Sequence, residues 1–252
     1  MMSLAVSTLV FALIFAGSLV GMALRRSLPK DHLSTDAKET VRLAIGLIVT
    51  MTGLVLGMLV SSAKTYYDDQ KNQIAKMSSE IILLDNALTV YGPETKQIRI
   101  EIRHFVEDAV DRIWPKKESL LSQLRSQNNG KNVYTELGLL VPKNDAQVSA
   151  KAHVTSLTLD LRKTYWLMFL ESEQTSMSIP LLLVVTSWLL AIFISFGIFA
   201  PSNATVIITL LICAIAASAA IFIIMSMYSP FSGVLKISPA AVRDALSQMA
   251  ID

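Results

Sequence analysis

The sequence predicts an all-α, four-pass transmembrane protein with a helical extramembrane bundle inserted between transmembrane helices 2 and 3. The 252-residue chain is 52% hydrophobic and 17% charged, with a mean hydropathy of +0.51, which is typical of a membrane protein. Four apolar runs are long enough to cross a bilayer, since about 20 residues span its hydrocarbon core. They cover residues 4–24, 43–60, 179–200 and 204–227, and none contains Lys, Arg, Asp, Glu or His.

These runs divide the chain into four predicted parts. Residues 1–60 hold transmembrane helices 1 and 2, which are joined by the short basic loop 25–42. Residues 61–178 form the helical extramembrane domain, residues 179–227 hold transmembrane helices 3 and 4, and residues 228–252 form a docking tail.

The distribution of charge predicts the orientation. Loop 25–42 carries five basic and three acidic residues, whereas residues 61–178 carry fifteen of each. Short loops rich in Lys and Arg stay in the cytoplasm, so we expect this loop on the inner side of a bacterial inner (plasma) membrane. The amino terminus, the 61–178 domain and the tail are then extracytoplasmic. A cleaved signal peptide is the less favoured interpretation of the first run, because its flanking basic residues follow it rather than precede it.

One continuous helix is predicted from about Ala37 to Tyr91, projecting well beyond the bilayer. Its candidate caps are Asp36, Ser34 and Thr35, and Gly92 followed by Pro93 forms its stop. Beyond the membrane, apolar residues at spacings of three and four form the seam of a helix that packs on others. These residues are Ile74, Met77, Ile81, Leu84 and Leu88.

Further helical patterns follow within residues 61–178. One helix face is expected to carry Ile98, Ile102, Phe105, Ala109 and Ile113, with Pro115 ending or bending that helix. A later face carries Ala150, Val154, Leu157, Leu161, Tyr165 and Met168. Between them, Leu120, Leu121 and Leu124 suggest a short helix, and residues 126–132 have the composition of a loop. Pro180 fits either a new first turn or a kink in a continuing helix.

Small residues form a stripe along transmembrane helix 2: Gly46, Thr50, Gly53, Gly57 and Ser61. Small residues let helix backbones approach closely in lipid. One interpretation is packing within the chain, for which Gly17 and Gly21 of the first run are candidate partners. The other is that the stripe lines or supports a pore in an oligomer, because hydroxyl and backbone groups or apolar constrictions can select and gate ions. The absence of ionisable residues in the four runs argues against a proton-coupled transporter.

Two further groups of residues flank the membrane runs. Asp68 and Asp69 are candidates for a cation-attracting pore mouth. Adjacent helical positions point about 100° apart, so a solvated helix face is the alternative interpretation. Four aromatic residues fit interfacial anchors: Tyr66, Tyr67, Tyr228 and Phe231.

No motif for catalysis, metal binding or cofactor binding is found. The three histidines are scattered along the chain, and the single cysteine, Cys213, excludes an intrachain disulfide and any cysteine cluster. Phosphate-binding loops and nucleophile elbows are missing, and the charge balance of residues 61–178 does not suit nucleic acid. We therefore expect neither an enzyme nor a metal or cofactor site.

The tail is predicted to leave the last membrane helix and fold back. Pro230 cannot continue the helix, Gly233 permits a reversal, and Ser238 can cap a short helix begun by Pro239. The apolar face of this helix comprises Val242, Ala245, Leu246 and Met249. We expect it to dock on the extramembrane bundle or on a neighbouring subunit, near Tyr66 and Tyr67; lying on the lipid surface is the alternative.

Five sequence blocks together resemble the bestrophin-like domain family of bacterial membrane proteins. The blocks are GMALRRSLPKDHLS, LVLGMLVSSAKTYYDDQ, IILLDNALTVYGPE, DRIWP and PFSGVLKISPAAVRDAL, and they lie in order along nearly the whole chain. The resemblance implies a homo-oligomer around a central axis, a pentamer by analogy, with an ion pathway lined by transmembrane helix 2. It also implies a cytosolic 61–178 domain, against the charge argument. Bestrophin necks are typically lined by phenylalanines, whereas residues 43–60 contain no aromatic residue, so no neck residue is carried over.

The favoured function is an oligomeric ion channel of bestrophin-like architecture. Its expected partners are the lipid bilayer, further copies of the chain and inorganic ions, without nucleic acid. The alternative is a non-conducting signalling or scaffolding protein with an extracytoplasmic helical sensor domain. A hydrated central path in an oligomer would favour the channel, and a dry, closely packed axis would favour the scaffold.

Overall fold

The protein is helical throughout the residues that the computed structural model describes, which are 2–29, 34–114, 129–174 and 179–249. The all-α prediction is confirmed for these residues, which contain no strand. Their helices are α1 (Met2–Ser27), α2 (Thr35–Tyr91), α3 (Lys96–Ile113), α4 (Asn129–Leu139), α5 (Asp145–Gln174), α6 (Ile179–Phe199), α7 (Ala204–Met227) and α8 (Ala240–Gln248), with a 3₁₀ turn at Pro93–Thr95.

Four of these helices, α1, α2, α6 and α7, are long and apolar enough to cross a membrane. They contain the four apolar runs of the sequence, so the predicted four spans are confirmed by length and composition. Pro180 is the second residue of α6, where a missing amide hydrogen removes no hydrogen bond within the helix.

The chain forms two compact units. The first comprises Met1–Tyr67, Ser176–Ser229 and Gly233–Leu235, and the second comprises Asp68–Thr175, Pro230–Ser232 and Lys236–Asp252. The apolar part of α2 therefore belongs to the first unit, and its later part belongs to the second.

In the first unit, α1 packs against α6 and α7 through a close approach of backbones. A side chain on Gly21 would overlap the carbonyl oxygen of Ile194, and one on Gly197 would overlap the carbonyl oxygen of Ser18. Gly17 lies against the side chain of Leu190. These glycines allow α1 and α6 to pack more closely than larger side chains would permit.

The end of α6 and the start of α7 are both capped. The Arg25 guanidinium on α1 donates to the carbonyl of Ala200, directly after α6, where a cation is favourable to the helix dipole. Asn203 Oδ1 accepts the amide hydrogen of Val206 at 3.1 Å and so caps α7. The connection between these two membrane helices is thus held by polar contacts at its surface.

The second unit is built on the predicted seam of α2. Ile74, Met77, Ile81, Leu84 and Leu88 are all buried. The face predicted on residues 150–168 is buried at five of its six positions, with Ala150 half-buried. The seam prediction is therefore confirmed, and the core of this unit consists mainly of side chains from α2, α3 and α5.

The corner between α2 and α3 has the predicted stop signal. Gly92 adopts a φ of 133°, which an L-residue with a side chain rarely adopts. Thr95 Oγ1 then donates to the Leu88 carbonyl at 2.8 Å, satisfying one of the last carbonyls of α2. Arg99 of α3 pairs with Asp85 of α2 through two hydrogen bonds of 2.7 and 3.0 Å, and both side chains are largely buried.

The structure corrects three local predictions. The buried face of α3 is rotated, because Val106 and Val110 are buried whereas Phe105 and Ile113 are only half-buried. Asp36 lies inside the first turn of α2, not at its cap, since the helix begins at Thr35. Part of the predicted loop 126–132 is helical, because α4 begins at Asn129. Pro115 and the suggested helix at Leu120–Leu124 lie outside the described residues.

We predict that Asp85→Asn lowers the free energy of unfolding by about 2–3 kcal/mol, because it removes the carboxylate that accepts two charge-assisted hydrogen bonds from the largely buried Arg99 guanidinium. The matched control is Lys143→Gln, which breaks the exposed 2.5 Å contact with Glu94 and should leave the unfolding midpoint unchanged. Thermal unfolding of the purified full chain measures both variants. Equal effects of the two substitutions on the unfolding midpoint would contradict the conclusion that the Asp85–Arg99 pair stabilises the second unit.

Glu80 gives the second unit a predicted dependence on pH. Its side chain is 6% exposed, and Oε1 accepts a hydrogen bond of 3.3 Å from Thr164. Burial raises the pKa of this carboxyl, against the opposing hydrogen bond from Thr164 and the charge of Lys76. The folded state therefore holds the proton more tightly than the unfolded state, and this stabilisation is lost as the pH rises through the raised pKa.

We predict that Glu80→Gln becomes progressively more stable relative to the native protein as the pH rises from about 4 toward neutrality, since a glutamate in the unfolded chain titrates at about 4.3 and burial raises the pKa of Glu80 above that. Unfolding midpoints of the two proteins across that range test it. Asp111→Asn, at an exposed position of α3, should show no such trend. If the unfolding midpoints of Glu80→Gln and the native protein differed by the same amount at every pH, the raised pKa of Glu80 would be refuted.

Candidate functional site

The predicted stripe lies on an outer face of α2. All five of its members, Gly46, Thr50, Gly53, Gly57 and Ser61, are exposed in the single chain. Of the four spans, α2 is the least covered: 11% of its apolar window is buried, against 33% for α1 and for α6. A large part of this membrane helix therefore lacks protein contacts within one chain.

The three glycines of the stripe face open space. A side chain built on Gly46, Gly53 or Gly57 would meet no other part of the described chain within 4 Å. Packing of this stripe against Gly17 and Gly21 is therefore wrong, because those two glycines contact α6. Among the described residues, none packs closely against the three glycines of the stripe.

A different face of α2 binds it to the rest of the first unit. Thr52, Leu59 and Ala63 are buried there, and Ile45, Ile48, Val55 and Leu56 pack against the same core. The Thr52 hydroxyl donates to the Ile48 carbonyl at 2.7 Å, so its polar group is satisfied within the helix. The helix thus has a covered apolar face and a broad uncovered surface, which carries the small-residue stripe together with large apolar side chains such as Leu47, Leu54 and Met58.

Asp68 and Asp69 lie on α2 beyond the apolar stretch, with Asp68 half-buried and Asp69 exposed. In the described part of the chain, no three His, Cys, Asp or Glu side chains are grouped as metal ligands would be. The role of the two carboxylates as a cation mouth stays a prediction.

The aromatic residues fall into two groups. The Tyr66 ring stacks on Tyr228 with centroids 5.6 Å apart, and the Tyr228 hydroxyl lies 3.1 Å from Ser62 Oγ, which ties α2 to the end of α7. Tyr67 is half-buried. Phe231 packs edge-on against Trp114 in the second unit, with centroids 5.5 Å apart. Phe231 is therefore placed in a protein contact.

The tail helix α8 packs on α3 within the second unit. Its predicted apolar residues Val242, Ala245, Leu246 and Met249 are all buried, and Gly233 has the positive φ of 87° that a reversal requires. Ser238 Oγ accepts the Ala240 amide hydrogen at 3.2 Å. The contact surface is α3, whereas Tyr66 and Tyr67 belong to the first unit.

Trp114 is a contact residue that sequence reasoning missed. Its buried indole Nε1 donates to the Ile237 carbonyl at 2.8 Å, and its ring receives Phe231. A tryptophan directly before a proline at a helix end was a usable signal, because a buried indole needs a hydrogen-bond acceptor nearby.

The sequence matches the model of a known protein family. The model of the bestrophin-like domain matches residues 12–242, from within α1 to within α8. The chain belongs to the bestrophin-like domain family. No curated protein sequence and no solved structure matches it. With four helices able to span a bilayer, it is a membrane protein of this family.

In this bestrophin-like protein, we predict that Val242→Asp destabilises the second unit by several kcal/mol, because it buries an unpaired carboxylate against α3. Ala241→Asp, one position away and exposed, is the control and should change the free energy of unfolding by less than about 0.5 kcal/mol. Thermal unfolding of the full chain compares the two. A tail helix that lies on lipid instead would leave the midpoint of both variants unchanged.

Proposed function

We propose that this bestrophin-like protein is a homo-oligomeric ion channel of the bacterial inner membrane, with the uncovered face of α2 turned toward the oligomer axis. The observation that carries the proposal is the empty space around Gly46, Gly53 and Gly57 on the least covered membrane helix. Membership of the family supports it, since the family takes its name from a likeness to channels.

Small residues on this face have a physical use only when another surface comes close. Against lipid tails, a glycine offers less dispersion contact than a leucine, whereas against another helix it lets backbones approach. Copies of α2 around an axis would place the same stripe of every subunit together. This arrangement explains why the stripe has no close partner among the described residues of one chain.

The stripe also supplies groups suited to an uncharged ion path. Thr50 Oγ1 donates to the Gly46 carbonyl at 2.9 Å and retains lone pairs that can accept from water or coordinate a cation. Hydroxyl groups, backbone carbonyls and apolar constrictions can conduct and gate without buried charge. Asp68 and Asp69 would attract cations to the end of such a path, with the ion itself to be identified by experiment.

A non-conducting scaffold or sensor is the second candidate, and the continuous α2 favours it. One helix runs from the apolar stretch into the buried seam of the second unit, so a displacement at one end can be transmitted to the other. In that case the stripe would form a dry axis. We assign no catalytic role to either form.

We predict that the native protein, reconstituted in planar bilayers, gives discrete single-channel currents and that Gly53→Leu reduces the unitary conductance several-fold. A leucine side chain at this position would narrow the ion path. It would not overlap any described residue of the same chain, so the chain should still fold. Ala12→Leu, which adds the same bulk on an exposed position of α1, is the matched control. The reversal potential in asymmetric potassium chloride gives the charge preference.

Two results would contradict the channel. Silence from an intact oligomer over a range of pH and calcium concentration would favour the scaffold. Dispersal of the oligomer by Gly53→Leu, with native currents from the remaining assemblies, would assign the stripe to subunit packing away from the path.

A further inference from the structure

A cleft of about 630 Å³ opens in the first unit between the start of α2, the end of α6 and the start of α7. Its walls are mainly apolar, with Ile45, Val49, Phe196, Phe199, Val206 and Leu210 contributing side chains. Phe196 is 45% exposed, so the cleft presents unsatisfied apolar surface. A volume of this order fits an acyl chain segment or another apolar ligand of moderate size.

One end of the cleft is basic. Lys38 and Arg42 line it and are exposed, and they share one face of α2 with Ile45 and Val49 at spacings of four, three and four. The acidic neighbours Asp36 and Glu39 do not line the cleft, and on the helix they point about 140° and 80° away from that face. The charge presented to the cleft is therefore positive, although the first turns of α2 are balanced overall.

Two further features favour an anion at the same end. The first residues of α7, Thr205 and Val206, line the cleft, so the positive end of that helix dipole is directed toward it. Ala200 also lines the cleft, and its carbonyl oxygen would repel an anion. This oxygen accepts a hydrogen bond from the Arg25 guanidinium, which offsets that repulsion. The apolar walls and this basic end together match an anionic amphiphile.

We propose that the cleft binds an anionic phospholipid from the leaflet on the side of loop 25–42. An acyl chain lies along Val49, Phe196 and Leu210, and the phosphate is held between Lys38 and Arg42. Basic pockets between membrane helices are a recognised form of anionic lipid site. Gly46 of the stripe also lines the cleft, and at this end of α2 the charge complementarity favours a lipid over a second copy of the chain as its neighbour. The contact between subunits is then left to Gly53, Gly57 and Ser61, and the lipid site does not depend on whether the protein conducts.

The test uses the purified full chain in detergent, with phosphatidylglycerol as the anionic probe and phosphatidylcholine of the same acyl chains as its neutral match. Native mass spectrometry counts the lipids bound per subunit and gives the affinities. We expect K38Q/R42Q to lower the affinity for phosphatidylglycerol by about 10- to 30-fold, to that of phosphatidylcholine. Arg26→Gln, which removes one exposed charge from the same loop without lining the cleft, should bind like the native protein.

A second variant tests the apolar part. Val49→Trp fills the cleft and should abolish retention of phosphatidylglycerol, whereas Leu9→Trp, exposed on α1 and not lining the cleft, should retain it. Three results would overturn the proposal: equal loss in K38Q/R42Q and Arg26→Gln, displacement of phosphatidylglycerol by soluble glycerol phosphate, or dispersal of the oligomer by Val49→Trp with lipid binding unchanged. The second would show a site for a free phosphate, and the third would show that another copy of the chain covers the cleft.

Discussion

The close approach of α1 to α6 at Gly21 and Gly197 is the constraint on which the first unit depends. Each glycine lies against the backbone of the opposite helix, so neither position has room for a side chain. The small residues of α1 pack on α6, whereas the glycines of α2 meet no other part of the described chain. The proposed assembly follows from this division: one set of glycines packs within the subunit, and the other is available between subunits.

The second unit depends on a different combination, an apolar seam closed by polar contacts at its corners. The buried side chains of α2 between Ile74 and Leu88 hold its core, while Thr95 and the Asp85–Arg99 pair fix the turn into α3. Trp114 then holds the tail through the Ile237 carbonyl. Burial supplies most of the stability, and these hydrogen bonds select one geometry among the packings that apolar side chains would tolerate.

The sequence predicts most of this fold because its strongest signals are local. Four uninterrupted apolar runs, the stop at Gly92 and the three-four spacing from Ile74 to Leu88 each follow from helix geometry alone. The packing partner of each glycine cannot be predicted in this way. A glycine shows that another helix can approach closely at that position, but it does not identify that helix. The cleft is also assembled from two segments far apart in the sequence, residues 38–49 and 195–210, although the spacing of Lys38, Arg42, Ile45 and Val49 on one helix face was visible in the sequence.

The most direct test of the central claim, that the uncovered face of α2 lies at the axis of an oligomer, is the distance between copies of that face. Spin labels at position 57, in a Cys213→Ser background and in lipid nanodiscs, report this distance by pulsed dipolar spectroscopy. We predict separations between neighbouring labels within about two helix diameters, ~20–25 Å, and shorter than those from labels at Leu9 on the exposed face of α1. Absence of dipolar coupling at position 57, or separations longer than those at position 9, would show that this face of α2 contacts lipid.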